Sequence, residues 1–279
     1  MKGIRAIVAL DLKRFFQEPT RLIPGLIQPL LYLFVLGSGL GASINLRPMG
    51  AALAAAGQTA VAAPNPADYR AFIFPGVVAL ALLFSATFAG ISIVFDRQIG
   101  FFKAVLVSPI SRPAIAIGKV VAGAIQSLLQ GFLLLLVLPF LHLNVSLGGA
   151  LLIIPGMVLG ALAFSALGVA VAARFTSTTV FPIIINMVVM PMFFMSGAMY
   201  PLQPAPGWMQ ALAHFDPVAY AVDLMRGAIL GPDHMFFNVW VSVAVLVAMI
   251  SLLTLVAVRI FSRGEETDLP GASPFPWRR

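Results

Sequence analysis

Long apolar runs dominate this 279-residue sequence, and the few side chains inside them that could bind or react include Gln28, Ser85, Thr87, Gln126, Gln130, Ser165 and Asn186. Gln126 and Gln130 lie one helical turn apart and so share a face. Two amides so placed could line a translocation path, with Asn186 as a third candidate, or could hold helices together by hydrogen bonding. On spacing alone the gluing role has the stronger claim. No Asp, Glu, Lys, Arg or His falls in the interior of a run. Asp96, Lys119, Arg174 and Arg259 stand near run ends, where long side chains can reach water. A carrier driven by protons or sodium normally needs a carboxylate or equivalent ion site near the midplane, so that class is weakened.

Enzyme chemistry finds little support. His142, His214 and His234 come with no HExxH pattern and no paired carboxylates. His214 and Asp216 share a segment that suggests a metal or acid–base pair, but interfacial polar groups satisfying each other is the commoner arrangement. Asp223 and Arg226, three apart, read as a local ion pair on a helix. With no cysteine in the chain, disulfides and thiolate metal sites are ruled out. Gly118-Lys119, the only Gly-Lys pair, lacks both the glycine five residues earlier and the following Ser or Thr of a phosphate loop. The chain is therefore not expected to be an enzyme, nor to hold a cofactor or metal of its own.

The elements that must position these residues are membrane helices. Sixty percent of the residues are hydrophobic and 10% charged, with mean hydropathy +1.00; a soluble domain could not cover its surface with that balance. The expected fold is all-α and integral to the membrane, with six spans at about 22–44, 71–95, 114–141, 148–173, 180–199 and 236–261. Residues 1–21 read as an interfacial helix with Ile4, Val8, Leu12 and Phe15 on one face, although Asp11 intrudes on it. Residues 96–113 are basic and amphipathic, stopped at Ser108-Pro109, and either fix topology or receive force from a partner. In the fourth span Gly156 and Gly160 offer a face for close packing. Residues 200–233 are too polar to cross a bilayer; two short helices, Trp208–Phe215 and Val218–Leu230, would dip back into the outer interface. Residues 262–279 form a polar tail.

The net charge of +7 and pI near 10.4 do not point to nucleic acid, because the cations occupy the short segments between spans. Of the 17 Lys and Arg residues, only Arg47, Arg70 and Arg226 fall on the side opposite the termini. Positive charge collects in the cytoplasm, so both termini and the central stretch are expected there.

Three blocks carry a family likeness. They are Asp68-Tyr69 with Phe74-Pro75-Gly76; Gly100, Leu106-Val107-Ser108-Pro109, Arg112 and Gly118-Lys119; and Ser196-Gly197-Ala198-Met199-Tyr200-Pro201-Leu202, Pro206-Gly207-Trp208 and Asp216-Pro217-Val218-Ala219-Tyr220 through Arg226. In combination they resemble the permease subunit of type-2 ABC exporters, the group that exports drugs, nodulation factors and polysaccharides. The likeness covers nearly the whole chain.

That resemblance implies a six-span permease that pairs with a second copy and binds two separate ABC ATPase subunits, which hold ATP and Mg. It implies coupling to the ATPase through Asp96, Arg97, Gln98, Gly100, Phe101, Phe102, Lys103, Leu106, Ser108 and Pro109. Ser196, Gly197, Pro201, Pro206, Trp208, Asp216, Pro217, Tyr220 and Arg226 would form a re-entrant outer signature, and the first and fifth spans the dimer contact. The family often carries a glutamate two residues before the loop glycine, where this chain has Gln98. The expected setting is a bacterial-type inner membrane, with lipid as neighbour and an amphipathic, lipid-like or drug-like substrate exported. The alternative is an ion-coupled secondary transporter with no ATPase partner.

Overall fold

The computed structural model describes residues 2–17, 25, 27–36, 66–99, 111–137 and 147–263, and among them the regular structure is helical, with no strand. Helix α1 is Lys2–Gln17. A helical stretch over 27–36 follows, its last turn Tyr32–Leu36 wound as a π-helix. Then come α2, Pro66–Ala89, α3, Ile91–Gln98, α4, Arg112–Leu135, and α5, Leu147–Ala172. The remainder is α6, Val180–Met195, α7, Gly207–Ala213, α8, Pro217–Leu230, and α9, Val239–Arg263. Among the described residues four segments are long and apolar enough to cross a membrane: Arg70–Gln98, Arg112–Leu135, Leu151–Ala172 and Val239–Ser262. Helix α6 is apolar but shorter, and much of the first expected span and the end of the third lie outside the described residues.

Helix α5 is the hub, packed against α2, α4, α8 and α9. Lipid is as apolar as leucine, so membrane helices gain little from burying apolar surface and rely on close fit. Glycines supply that fit here. A Cβ at Gly156 would stand 3.0 Å from Met225 Cγ, and one at Gly160 would stand 3.0 Å from Ala221 Cβ. The small face expected at 156 and 160 is therefore the seat of α8. Outward, α9 exposes Trp240, Val247, Leu252 and Leu255, as a hydrocarbon-facing helix should.

Three expectations are refined or corrected. The second span, expected at about 71–95, is present over Arg70–Gln98, with a break between α2 and α3 at Gly90. There the backbone of Gly90 lies close to Gly168 O on α5, while Thr87 Oγ1 turns back on Leu83 O at 2.5 Å. Such back-bonding bends helices, and the crossing leaves no space for a side chain. Second, the buried face of α1 is centred on Ile7, Asp11 and Phe15, one turn apart each, with Ile4, Val8 and Leu12 only half buried. Asp11 does not intrude on that face; it lies at its centre. Third, Lys119 does not reach water from a span end. It is 7% exposed, for the reason given next.

Candidate functional site

Lys119 sits about two turns into α4, where α1 crosses against Gly118. Its Nζ donates to Asp11 Oδ1 of α1 at 2.9 Å, to Asp96 Oδ2 of α3 at 2.9 Å, and to Ser92 Oγ at 3.2 Å. Asp96 Oδ1 in turn accepts from Arg14 NH1 at 2.8 Å. Two carboxylates and two cations thus close into a charge-balanced knot that ties α1, α3 and α4 together. Buried charges need such pairing, because desolvation without it is prohibitive. Arg174 and Arg259, the other two cations near span ends, are exposed as expected.

Beside the knot lies a cavity of about 220 Å³ lined by Asp11, Arg14, Ser92, Asp96 and Gln126, with Phe15, Phe95 and Ile99 among its apolar walls. A second cavity, of about 460 Å³, adjoins it through the shared residues Phe15, Ala89 and Gln126. Its walls come from α1, the 25–36 stretch, α2, α3, α4 and α6. It gathers Gln28, Ser85, Gln126, Gln130 and Asn186 with Phe84 and Phe88. The three residues singled out for a path, Gln126, Gln130 and Asn186, therefore share one chamber, and Gln28 and Ser85 join them. Among the described residues Gln126 Nε2 reaches only Asp11 O, at 3.4 Å, and the buried Gln130 Oε1 has no hydrogen-bond partner. Ser165 and Thr87 do behave as backbone-bound residues: Ser165 Oγ donates to Val120 O of α4 at 2.8 Å, and Thr87 bonds within its own helix.

The other polar concentration is the segment 196–237. Helix α8 is almost wholly buried. Asp216 caps it, accepting from Val218 N at 2.8 Å, and burial pushes its carboxyl up to about 8. Tyr220 stacks on Phe237 at 4.2 Å and donates to His214 O at 2.9 Å. Asp223 and Arg226 do not form the ion pair that their spacing suggested. Asp223 accepts Phe236 N and Phe237 N, one on each oxygen, both at 2.8 Å. Arg226 donates to Gly197 O at 2.8 Å and lies 3.8 Å over the Phe72 ring. Gly197 takes φ +72°, the left-handed turn that aims its carbonyl at Arg226. Ser196 Oγ bonds Phe193 O and Ala198 N. Pro201 and Pro206 stand in the turns before α7, and Trp208, in its first turn, is exposed. Helices α7 and α8 match the two short helices expected here to within a residue or two.

Of the residues that the resemblance assigns to coupling, Asp96 turns inward to the knot. Gln98 is exposed and accepts from Thr178 Oγ1 at 3.1 Å, and Arg97 lies 5.7 Å from the Phe261 ring. Gly100, Phe101, Phe102, Lys103, Leu106, Ser108 and Pro109 lie outside the described residues, as does His142. Among the described residues no cluster of three His, Asp or Glu suits a metal. The pairing of Asp11 with Lys119 was not anticipated; its one signal was an acid on an otherwise apolar helix face.

Comparison with known proteins gives these features a context. A family model described as "ABC-2 type transporter" matches residues 2–230. The chain is 29% identical over 244 residues to nodulation protein J of Rhizobium leguminosarum bv. viciae, covering 87% of this chain and 86% of that protein. It is 30% identical over 212 residues to nodulation protein J of Rhizobium leguminosarum bv. trifolii, covering 75% and 74%. It is also 26% identical to ycf38 of Pyropia yezoensis, named as a transport permease, over 81% of this chain and 73% of that one.

Proposed function

The chain belongs to the ABC-2 type transporter family, a multi-pass membrane permease, and from that premise we propose that it forms half of an ATP-driven exporter. It crosses a bacterial-type inner membrane six times with both termini in the cytoplasm, pairs with a second copy through its first and fifth spans, and binds two ABC ATPase subunits that hold ATP and Mg. It passes an amphipathic, lipid-like or drug-like substrate outward. Residues 96–113 form the coupling segment, residues 1–21 the interface helix, and residues 200–233 the re-entrant outer segment.

The observation that carries this reading is the charge-balanced knot of Asp11, Asp96, Lys119 and Arg14. It sits at the mouth of the coupling segment and ties that segment's first turn to the interface helix and to α4. A stroke delivered by an ATPase to residues 100–110 would then move three elements as one body. A packed lever of this kind is how a small displacement becomes a change of access. Asp96 serves inside this lever, so the ATPase contact falls to Gln98 and the residues beyond it. The missing glutamate is then no loss of coupling.

The reading is tested by purifying the chain from its native membrane in mild detergent. An ATPase subunit should come with it, and Phe102→Asp should lose that subunit while leaving the permease folded. Purification with no ATPase, joined to flux that follows a proton or sodium gradient, would overturn the exporter and leave the ion-coupled carrier.

A further inference from the structure

We propose that the 460 Å³ chamber selects the substrate by its head group, and that it takes an uncharged head carrying hydroxyl or amide groups; this rests on the permease reading above. The volume lies within the roughly 300–1,000 Å³ of small-molecule sites. Gln130 belongs to the chamber wall and is 2% exposed, and its Oε1 is buried with no hydrogen-bond partner among the described residues. A buried acceptor left open costs free energy, and a small turn of the Gln130 side chain would bring it to a hydroxyl or amide N–H of a bound head group. Gln126, held only by its 3.4 Å bond, and the half-buried Gln28, Asn186 and Ser85 add further groups on the same walls. Amides and hydroxyls donate and accept at once, which suits a ligand whose groups also do both.

The charge pattern of the described residues argues against the other head groups. Among the described residues no charged side chain lines the chamber. The adjoining acids and bases are spent on one another around Lys119. An anionic head would be buried without a cation, and a cationic head without a carboxylate, each at high desolvation cost. The Phe84 and Phe88 rings, stacked at 6.0 Å, offer an apolar wall for the tail. Phe15 and Gln126 line both cavities, so they stand where charged surroundings give way to neutral ones.

The absence of native cysteine makes the test direct. Ser85→Cys places one thiol in the chamber of the full-length permease in lipid nanodiscs, and alkylation by a maleimide is timed. The probes are an alkyl glucoside, an alkyl sulfate and an alkyl trimethylammonium of one chain length. The glucoside should slow alkylation several-fold and the charged pair should not, while Ser251→Cys on the exposed side of α9 should be unaffected. Gln130→Leu, which removes a buried polar group at similar volume, should raise the half-protecting glucoside concentration about tenfold, the scale of one hydrogen bond. Gln130→Glu should turn the preference toward the ammonium probe. Equal protection by all three probes, preference for a charged one in the parent, or an unchanged glucoside response in Gln130→Leu would each overturn the proposal. ATPase co-purification is read separately, so a chamber that ignores the glucoside in an ATPase-bound chain sinks only this inference. A chamber that selects it in a chain without an ATPase sinks only the exporter.

Discussion

Around Lys119, buried charge is met by opposite charge from elsewhere in the chain; around Asp223 and Arg226, it is met by backbone. Lys119 pairs with Asp11, 108 residues away, and with Asp96, 23 away. Asp223 and Arg226, on one helix, instead hold the amides of Phe236 and Phe237 and the carbonyl of Gly197. The first arrangement fixes how separate elements sit against one another. The second fixes the path of one compact segment. An ion knot between elements is a joint, whereas acids and bases bound to local backbone make a plug. The difference suits the proposed exporter, which needs a part that transmits motion and a part that keeps its shape.

Breaking the joint should have the largest effect. Lys119→Met leaves Asp11 and Asp96 facing each other with only Arg14 to share, and removing one partner of a buried pair costs about 3–5 kcal/mol. Thermal unfolding of the purified permease should show that loss. Adding Asp11→Asn restores the balance with Asp96 paired to Arg14, so the double variant should be more stable than Lys119→Met alone. Strict additivity would show that the charges act independently and that no joint exists.

Damage to the plug should be smaller, because backbone hydrogen bonds hold Asp223 more closely than the nearby charge of Arg226 does. Asp223→Asn keeps one acceptor oxygen and turns an amide NH2 toward an N–H that needs an acceptor. One buried donor is left open, at roughly 1–3 kcal/mol. Hydrogen exchange at Phe236 and Phe237 should accelerate while exchange in α4 stays unchanged. Acceleration spread through α4 would mean that the outer segment is not a separate unit.

How much of this could be read from the sequence follows the same division. The four membrane-length helices were legible from hydropathy, and the Gly156 and Gly160 face from spacing, because both are local. The break at Gly90 was not, since it arises from the approach of α5 some 80 residues on, and a glycine in an apolar run carries no mark of it. Gln126 and Gln130 share a face by helical arithmetic, but Gln28, Ser85 and Asn186 join them only through tertiary packing. Asp11 is the instructive case. On its helix it looked like a flaw in an apolar stripe, and only Lys119 makes sense of it. Asp223 and Arg226 show the converse error: correct spacing for a pair, with better partners in the backbone nearby.

The smallest effect is expected at Asp216, which carries a formal charge that the plug does not use. Burial raises its carboxyl from the ordinary 3.8 to about 8, with its cap bond to Val218 N opposing the shift. The sign follows from proton uptake. Between about 4 and 8 the opened segment ionises Asp216 while the closed one keeps it protonated, so closure is favoured in full below about 4, weakens as pH rises, and has lost this contribution above about 8. Hydrogen exchange in the first turn of α8 in the purified permease should therefore quicken as pH climbs toward 8 and then level off, once intrinsic exchange rates are divided out. Asp216→Asn caps a helix about as well as Asp and mimics the protonated form, so at pH 6 it should change stability by no more than about 0.5 kcal/mol while abolishing the pH dependence. A large loss at pH 6 would mean that the carboxylate is ionised in the closed segment. Asp216 would then belong with Asp11 and Asp96, and the contrast between joint and plug would have to be redrawn.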